Sequence, residues 1–204
     1  MNKIKLDDKY ITPSKVVCIG RNYLEHIAEL NNDTPDEMVF FIKPNSSISE
    51  ELVFPKNHNS CHYEAEISFI IKENKITAVG FGLDLTLREV QTKLKEKGLP
   101  WERAKSFHKS AVFSDFVSFN DDISKLEVEL FINGELKQKG DVSLMINKPE
   151  DIINEARTFL DFEDNDILMS GTPKGVGKFI VGDVFLGKII YDNKVLIQKE
   201  FIVL

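Results

Sequence analysis

The chain has 204 residues, 42% of them hydrophobic and 29% charged, with 26 Lys+Arg against 33 Asp+Glu and a net charge of -7. This composition excludes a disordered, collagenous or low-complexity chain, and the acidic balance disfavours nucleic acid, whose phosphates the average field repels. No apolar run approaches the ~20 residues of a membrane span, and Met-Asn-Lys-Ile-Lys-Leu-Asp-Asp has no signal-peptide core. The expectation is therefore a single domain over 1–204, cytoplasmic, with no membrane partner.

Two cysteines, with 42 residues between them, fit neither a disulfide scaffold nor a zinc spacing. Cys18 reads as a small hydrophobe within a buried strand. Cys61 precedes His62, which leaves a reactive or metal-binding thiol open.

Along the chain, 1–14 is a strand-like lead-in and 15–20 a β-branched strand. Over 22–30 the helical wheel puts Leu24, Ile27, Ala28 and Leu30 on one side, with Glu25, His26 and Glu29 opposite. Strands are expected at 38–43, 64–71 and 75–79. A helix over 87–97 opens with Thr86-Leu-Arg-Glu89, the pattern of a capping box. The segment 126–132, Asn133-Gly134 and 135–138 reads as a hairpin with a type I′ turn. Pro149 starts a helix over 149–160 that buries Ile152, Ile153, Ala156, Phe159 and Leu160. A strand over 166–169 follows, then a second hairpin, 183–191 and 194–203, around Asp192-Asn193. Many strands and few, irregularly placed helices predict an α+β class.

Four groups of residues carry candidate chemistry. In His62-Tyr63-Glu64-Ala65-Glu66 an extended chain points Glu64 and Glu66 to one face, roughly 6.6 Å apart, and Asp84 ends an apolar strand where a carboxylate needs a partner. The alternative is a solvated polar face. If the three acids converge, their mutual repulsion is about 12 kcal/mol at ~4 Å and an effective dielectric near 20, which a hard divalent cation, Mg²⁺ or Mn²⁺, would neutralise through oxygen ligands.

His26 and Glu29, three apart on a helix, suit a general base held in one tautomer by a carboxylate; an incidental surface pair is the alternative. Ser170-Gly171-Thr172-Pro173-Lys174-Gly175-Val176-Gly177-Lys178 fails the phosphate-loop pattern, yet its amides and the Thr172 hydroxyl could meet an anion. Lys105, among aromatic residues, could pair with a substrate carboxylate or enolate, or simply snorkel. His58 and His108 read as surface residues.

In order, Val17-Cys18-Ile19-Gly20-Arg21-Asn22-Tyr23, Phe41-Ile42-Lys43-Pro44, His62 to Glu66, Gly82-Leu83-Asp84-Leu85-Thr86, Gly98-Leu99-Pro100-Trp101 through Lys105-Ser106-Phe107, and Gly171 to Gly177 resemble the fumarylacetoacetate hydrolase family. The likeness is greatest to its short acylpyruvate hydrolase and oxaloacetate decarboxylase branch, and runs from about residue 15 to the C-terminus. It implies a β-rich α+β roll of mixed sheets, usually a homodimer. Glu64, Glu66 and Asp84 would ligate Mg²⁺ or Mn²⁺, and His26 and Glu29 would be a catalytic dyad on a lid spanning 21–37. Lys105 would act in catalysis, while Arg21, Gln91 and Thr172 would line a pocket for a small 2-oxo acid.

The activity so implied is cleavage of a C–C bond in a 2,4-dioxo acid of the acylpyruvate type, giving pyruvate and a carboxylic acid through a metal-stabilised enolate. Oxaloacetate decarboxylation and isomerisation or tautomerisation of a 2-oxo dicarboxylic acid use the same enolate chemistry, and a non-catalytic metabolite-binding domain is the remaining alternative. Two departures stand out. The chain has no room for the extra N-terminal domain of the family's founding enzyme, and only 17 residues separate Glu66 from Asp84, which predicts a tight hairpin at Glu73-Asn74.

Overall fold

In the computed structural model, which describes residues 1–30, 33 and 35–204, two sheets pack face to face. The larger is mixed and curls as a half-barrel, in the order Val39–Pro44, Lys15–Gly20, Ile167–Met169, Ala65–Lys72, Lys75–Asp84, Ala111–Phe113, Ile48–Ser49, with Val117–Ser118 paired beside Val79 and Ala78. Lys15–Gly20 runs parallel to Ile167–Met169 although some 150 residues separate them, and the other long pairings in this sheet are antiparallel. The smaller sheet is antiparallel: Glu135–Asp141, Leu126–Ile132, Val184–Tyr191, Lys194–Ile202. The α+β, β-rich expectation holds.

Burial of both faces explains why Ile67-Ser68-Phe69-Ile70-Ile71 is apolar but for the small, buried Ser68, because strands covered on two sides lose the polar alternation. One face of the large sheet (Val17, Ile67, Phe69, Phe81, Leu83) meets Val128, Leu130, Phe185 and Phe201 of the small one. The other (Val16, Cys18, Ile70, Phe113, Met169) packs on Ile4, Phe41 and Phe116. Gly187 lets the sheets approach here: a Cβ would collide with the Phe81 ring.

Three two-residue turns form as their sequences predict. Asn133-Gly134, Asp192-Asn193 and Glu73-Asn74 all have positive φ at both positions, as type I′ hairpins require. Cys18 and Cys61 are buried free thiols, and burial pushes the Cys61 thiol up to about 12, so the reactive-thiol option falls away. His58 and His108 are exposed. Among the described residues no helix is long and apolar enough to cross a membrane.

Among the described residues there are four α-helices: α1 (Leu24–Glu29), α2 (Arg88–Glu96), α3 (Glu102–Lys105) and α4 (Pro149–Ala156). Three sequence expectations need correction. Helix α1 buries Ile27 and exposes Glu25 and Glu29 as the wheel predicts, but it also buries His26 and exposes Leu24 and Ala28, because a polar cleft lies beneath His26. The capping box at Thr86 does not form, because the Thr86 hydroxyl donates to Asp84 O and accepts from Lys105 Nζ. Helix α4 ends at Ala156, and Phe159, 58% exposed, sits edge-on to Phe40 instead of filling the core. Of the 21–37 lid segment, residues 31, 32 and 34 lie outside the described residues.

Candidate active site and metal centre

The three acids converge because of strand register. Glu66 pairs opposite Gly82, and Asp84 N donates to Glu64 O at 2.8 Å, so Glu64 and Asp84 are backbone neighbours at the end of the same ladder. One carboxylate oxygen from each of Glu64, Glu66 and Asp84 lies within 4.8 Å of the others, and all three side chains are buried. The alternative of a solvated polar face is excluded.

Cations surround the cluster. Lys105 Nζ donates to Glu64 Oε2 (2.7 Å), Asp84 Oδ2 (2.6 Å) and Thr86 Oγ1 (2.7 Å), and Arg88 pairs with Glu64 Oε1. Lys43, fully buried, holds Nζ 2.8 Å from Asp84 Oδ1, a charge contact without hydrogen-bond alignment. Burial alone would raise the pKa of Glu64, but Lys105, Arg88 and His26 outweigh it and hold that carboxyl well below the usual range. Burial and the charges of Asp84 and Glu64 push Glu66 well above it. Burial pulls Lys105 down, and Asp84 and Glu64 more than restore it, so the ammonium is retained.

These residues fit a hard divalent cation. The donors are carboxylate oxygens without thiol or imidazole, Asp84 Oδ1 is buried without a hydrogen-bond partner, and the Lys105 ammonium already bridges two of the acids as a cation would.

The wall opposite is α1. Asn22 pins its start: its amide donates to Ser170 O (2.8 Å) and Asn147 O (3.0 Å), and its Oδ1 accepts from Asn147 N (2.8 Å). His26 Nδ1 lies 3.3 Å from Glu29 Oε2. A carboxylate at Nδ1 accepts its proton, which leaves the Nε2 lone pair free. Burial lowers the pKa of His26, with Glu64 and Glu29 partly offsetting it, so the imidazole is held neutral.

The glycine-rich turn meets anions, but they belong to the protein. Gly171 N donates to Glu66 Oε2 (2.7 Å) and Gly175 N to both oxygens of Glu29. The Thr172 hydroxyl donates to Ala65 O (2.9 Å) and accepts from Gln138 Nε2 (2.8 Å). A narrow cleft, with a free volume of about 30 Å³, brings together every predicted site residue except Glu29, which stands behind His26.

Residues 15–199 match the family described as Fumarylacetoacetate (FAA) hydrolase C-terminal. The chain belongs to the fumarylacetoacetate hydrolase family. It is 37% identical over 187 residues to oxaloacetate tautomerase YcgM of Escherichia coli (strain K12), covering 83% of this chain and 85% of that one. A crystal structure of a putative fumarylacetoacetate isomerase/hydrolase from Oleispira antarctica superposes with TM-score 0.93 at 35% identity, over the whole of both chains. The crystal structure of fumarylpyruvate hydrolase from Pseudomonas aeruginosa in complex with Mn²⁺ and pyruvate gives TM-score 0.89 at 26% identity, covering 100% of this chain and 95% of that one.

In this fumarylacetoacetate hydrolase family member, sequence reasoning missed Lys43, Arg88, Asn22 and Gln138. Two of them left a signal. Lys43 interrupts the apolar strand Val39–Pro44 on its inward phase, and the alternation Lys137-Gln138-Lys139 turns Gln138 away from two lysines. Arg88 and Asn22 read locally as a helix-start charge and a loop residue, and nothing near them in sequence marks their partners.

Proposed function

We propose that this family member interconverts the keto and enol forms of a small 2-oxo dicarboxylic acid, oxaloacetate foremost, with Mg²⁺ or Mn²⁺ as cofactor. What supports it most is a buried neutral imidazole and a buried ammonium on one cleft with three carboxylates, beside a relative named oxaloacetate tautomerase. A cation held by Glu64, Glu66 and Asp84 would supply Lewis-acid polarisation of a 2-oxo group. His26 Nε2 takes a proton from C3 of the keto acid while Glu29 stabilises the imidazolium that forms. The negative charge that develops on O2 faces the Lys105 ammonium. Return of the proton from His26 to O2 gives the enol, and the reverse sequence gives the ketone. Helix α1, docked through Asn22 and Glu29, excludes water from this exchange.

The test follows the enol absorbance of oxaloacetate with Mg²⁺, with and without EDTA, for wild type and His26→Ala. Acceleration that EDTA abolishes and His26→Ala reduces is expected; no acceleration over buffer overturns the reading.

Hydrolysis of an acylpyruvate is a second reading, favoured by the fumarylpyruvate hydrolase neighbour. There the His26–Glu29 pair would deprotonate a water for attack at C4. Pyruvate release from acetylpyruvate, at a rate above enol–keto exchange, would make it the principal activity. Pyruvate from oxaloacetate would report decarboxylation in the same assay.

A further inference from the structure

Gln138 lies on Glu135–Asp141, the edge strand of the small sheet, and is 1% exposed. Leu130 pairs with Gln138 and Phe131 with Leu136, so Lys137 is the extra residue of a β-bulge, a device that re-aims the side chain beside it. Past the bulge the Gln138 carboxamide crosses to the large sheet and makes three hydrogen bonds. Its Oε1 accepts from Ala65 N (2.9 Å), and its Nε2 donates to Thr172 Oγ1 (2.8 Å) and to Pro173 O (2.8 Å). Ala65 N only donates and Pro173 O only accepts, so the amide has one possible orientation. Thr172 Oγ1 must then accept from Nε2, and its single proton goes to Ala65 O at 2.9 Å.

These contacts stand where the large sheet runs out. Asp84 N donates to Glu64 O, so Ala65, one residue on, turns its N–H and C=O away from Lys75–Asp84 and toward Ile167–Met169. The register of that strand, Met169 opposite Ser68, would set residue 172 opposite Ala65, but the strand ends at Met169 and the chain turns at Gly171 (φ 93). Side chains complete the ladder instead. Ser170 Oγ donates to Ile67 O (2.7 Å), and the Gln138–Thr172 pair takes both backbone groups of Ala65. Ala65 stands between Glu64 and Glu66. Its N–H lies in the peptide plane shared with Glu64 and its C=O in the plane shared with Glu66, so holding both groups holds the backbone that carries both carboxylates.

The same side chain backs the support of the dyad. A Cβ on Gly175 would come within 3.3 Å of Gln138 Cγ, so the glycine turn lies against Gln138. Gly175 N in turn holds Glu29, which faces His26. We propose that Gln138 is a positioning residue for the proton transfer: it keeps the Glu64-Ala65-Glu66 backbone and the turn from Thr172 to Gly175 at one fixed separation, and so sets Glu64 and Glu66 against the His26–Glu29 dyad. The inference rests on the tautomerase reading for the reaction it serves. Gln138 stands outside the cleft lining and acts through Ala65 and the turn.

The test compares wild type with Gln138→Met, which keeps the length and removes all three hydrogen bonds, and Gln138→Asn, which keeps the amide one methylene short. Ile197→Ala, on the far strand Lys194–Ile202 of the same sheet, reports what loss of stability alone does. Urea denaturation sets conditions in which each protein is folded. Electron paramagnetic titration reads Mn²⁺ affinity, and enol–keto exchange of oxaloacetate gives kcat and KM. Gln138→Met should weaken Mn²⁺ binding and lower kcat by roughly 10- to 100-fold each, the usual cost of losing a partner behind a ligand, with KM within about threefold. Gln138→Asn should fall between, and Ile197→Ala, being remote, should leave affinity and kcat within about twofold. Folded Gln138 variants with wild-type Mn²⁺ affinity and kcat, or losses matched by Ile197→Ala, overturn the proposal. If Gln138→Met does not fold, Gln138→Asn decides on the same criteria. If wild type accelerates no exchange, the tautomerase reading fails, and the Mn²⁺ affinities still decide the role of Gln138.

Discussion

The backbone N–H of Gly175 donates to both carboxylate oxygens of Glu29, at 3.0 and 3.2 Å. One turn thereby orients the carboxylate that in turn orients His26 Nδ1, 3.3 Å away. The geometry demands glycine: φ is +98, and a Cβ would collide with Lys137 O. Gly175→Ala should lower stability by about 1–3 kcal/mol and reduce kcat with little change in metal affinity. Chemical denaturation, enol–keto kinetics and Mn²⁺ titration on one preparation check the three parts.

The pH dependence follows from His26. Burial lowers its pKa below the ordinary 6.5, and the base works only when neutral, so activity is lost as pH falls through a value below 6.5. A bound divalent cation adds positive charge nearby and moves the limb the same way. Glu29 favours the imidazolium, so Glu29→Gln should shift the acid limb of kcat/KM further down while reducing kcat. A wild-type limb above pH 6.5 would contradict the assignment.

Glu66 isolates the metal question, because its own contact is the Gly171 amide, which a glutamine oxygen can still accept. Glu66→Gln should therefore fold normally and bind Mn²⁺ at least about tenfold more weakly, since loss of even an outer partner of a metal ligand commonly costs that much. Electron paramagnetic titration of free Mn²⁺, with circular dichroism as the folding control, measures it. Unchanged affinity would remove Glu66 from the metal site.

Lys43 is buried against Asp84, and its ammonium also donates to Ser110 O and Ser110 Oγ, each at 3.0 Å. Lys43→Met leaves Asp84 and these acceptors short of a cation, so unfolding free energy should fall by about 3–5 kcal/mol. Urea denaturation tests this. A loss below about 1 kcal/mol would mean that Asp84 is already neutralised without Lys43.

Local sequence carried much of the fold. The strands Lys15–Gly20 and Leu126–Ile132 have the expected bounds, and the hairpins at Asn133-Gly134 and Asp192-Asn193 close where turn chemistry demands left-handed residues. Helix α1 departed from the wheel because His26 turns into a polar cleft while Leu24 and Ala28 stay exposed, and periodicity records amphipathicity without saying which face is covered. Phe159 was misassigned for a related reason: apolar spacing continues past Ala156, but the helix does not.

The site divides along the same line. The residue types at 26, 29, 64, 66, 84 and 105, and the i, i+2 and i, i+3 spacings that aim neighbours to one side, are properties of the sequence alone, since strand and helix periods fix local direction. That Asp84 ends beside Glu64 depends on the register of Ala65–Lys72 against Lys75–Asp84, and that Lys105, Lys43 and Arg88 neutralise the acids depends on elements brought together by the sheet and its helices. Only the tertiary structure decided that the glycine turn serves two carboxylates of the protein. Gly171 meets Glu66 and Gly175 meets Glu29 over more than 100 residues of chain, and pairings of that range are set by the packing of the whole core, not by any local preference.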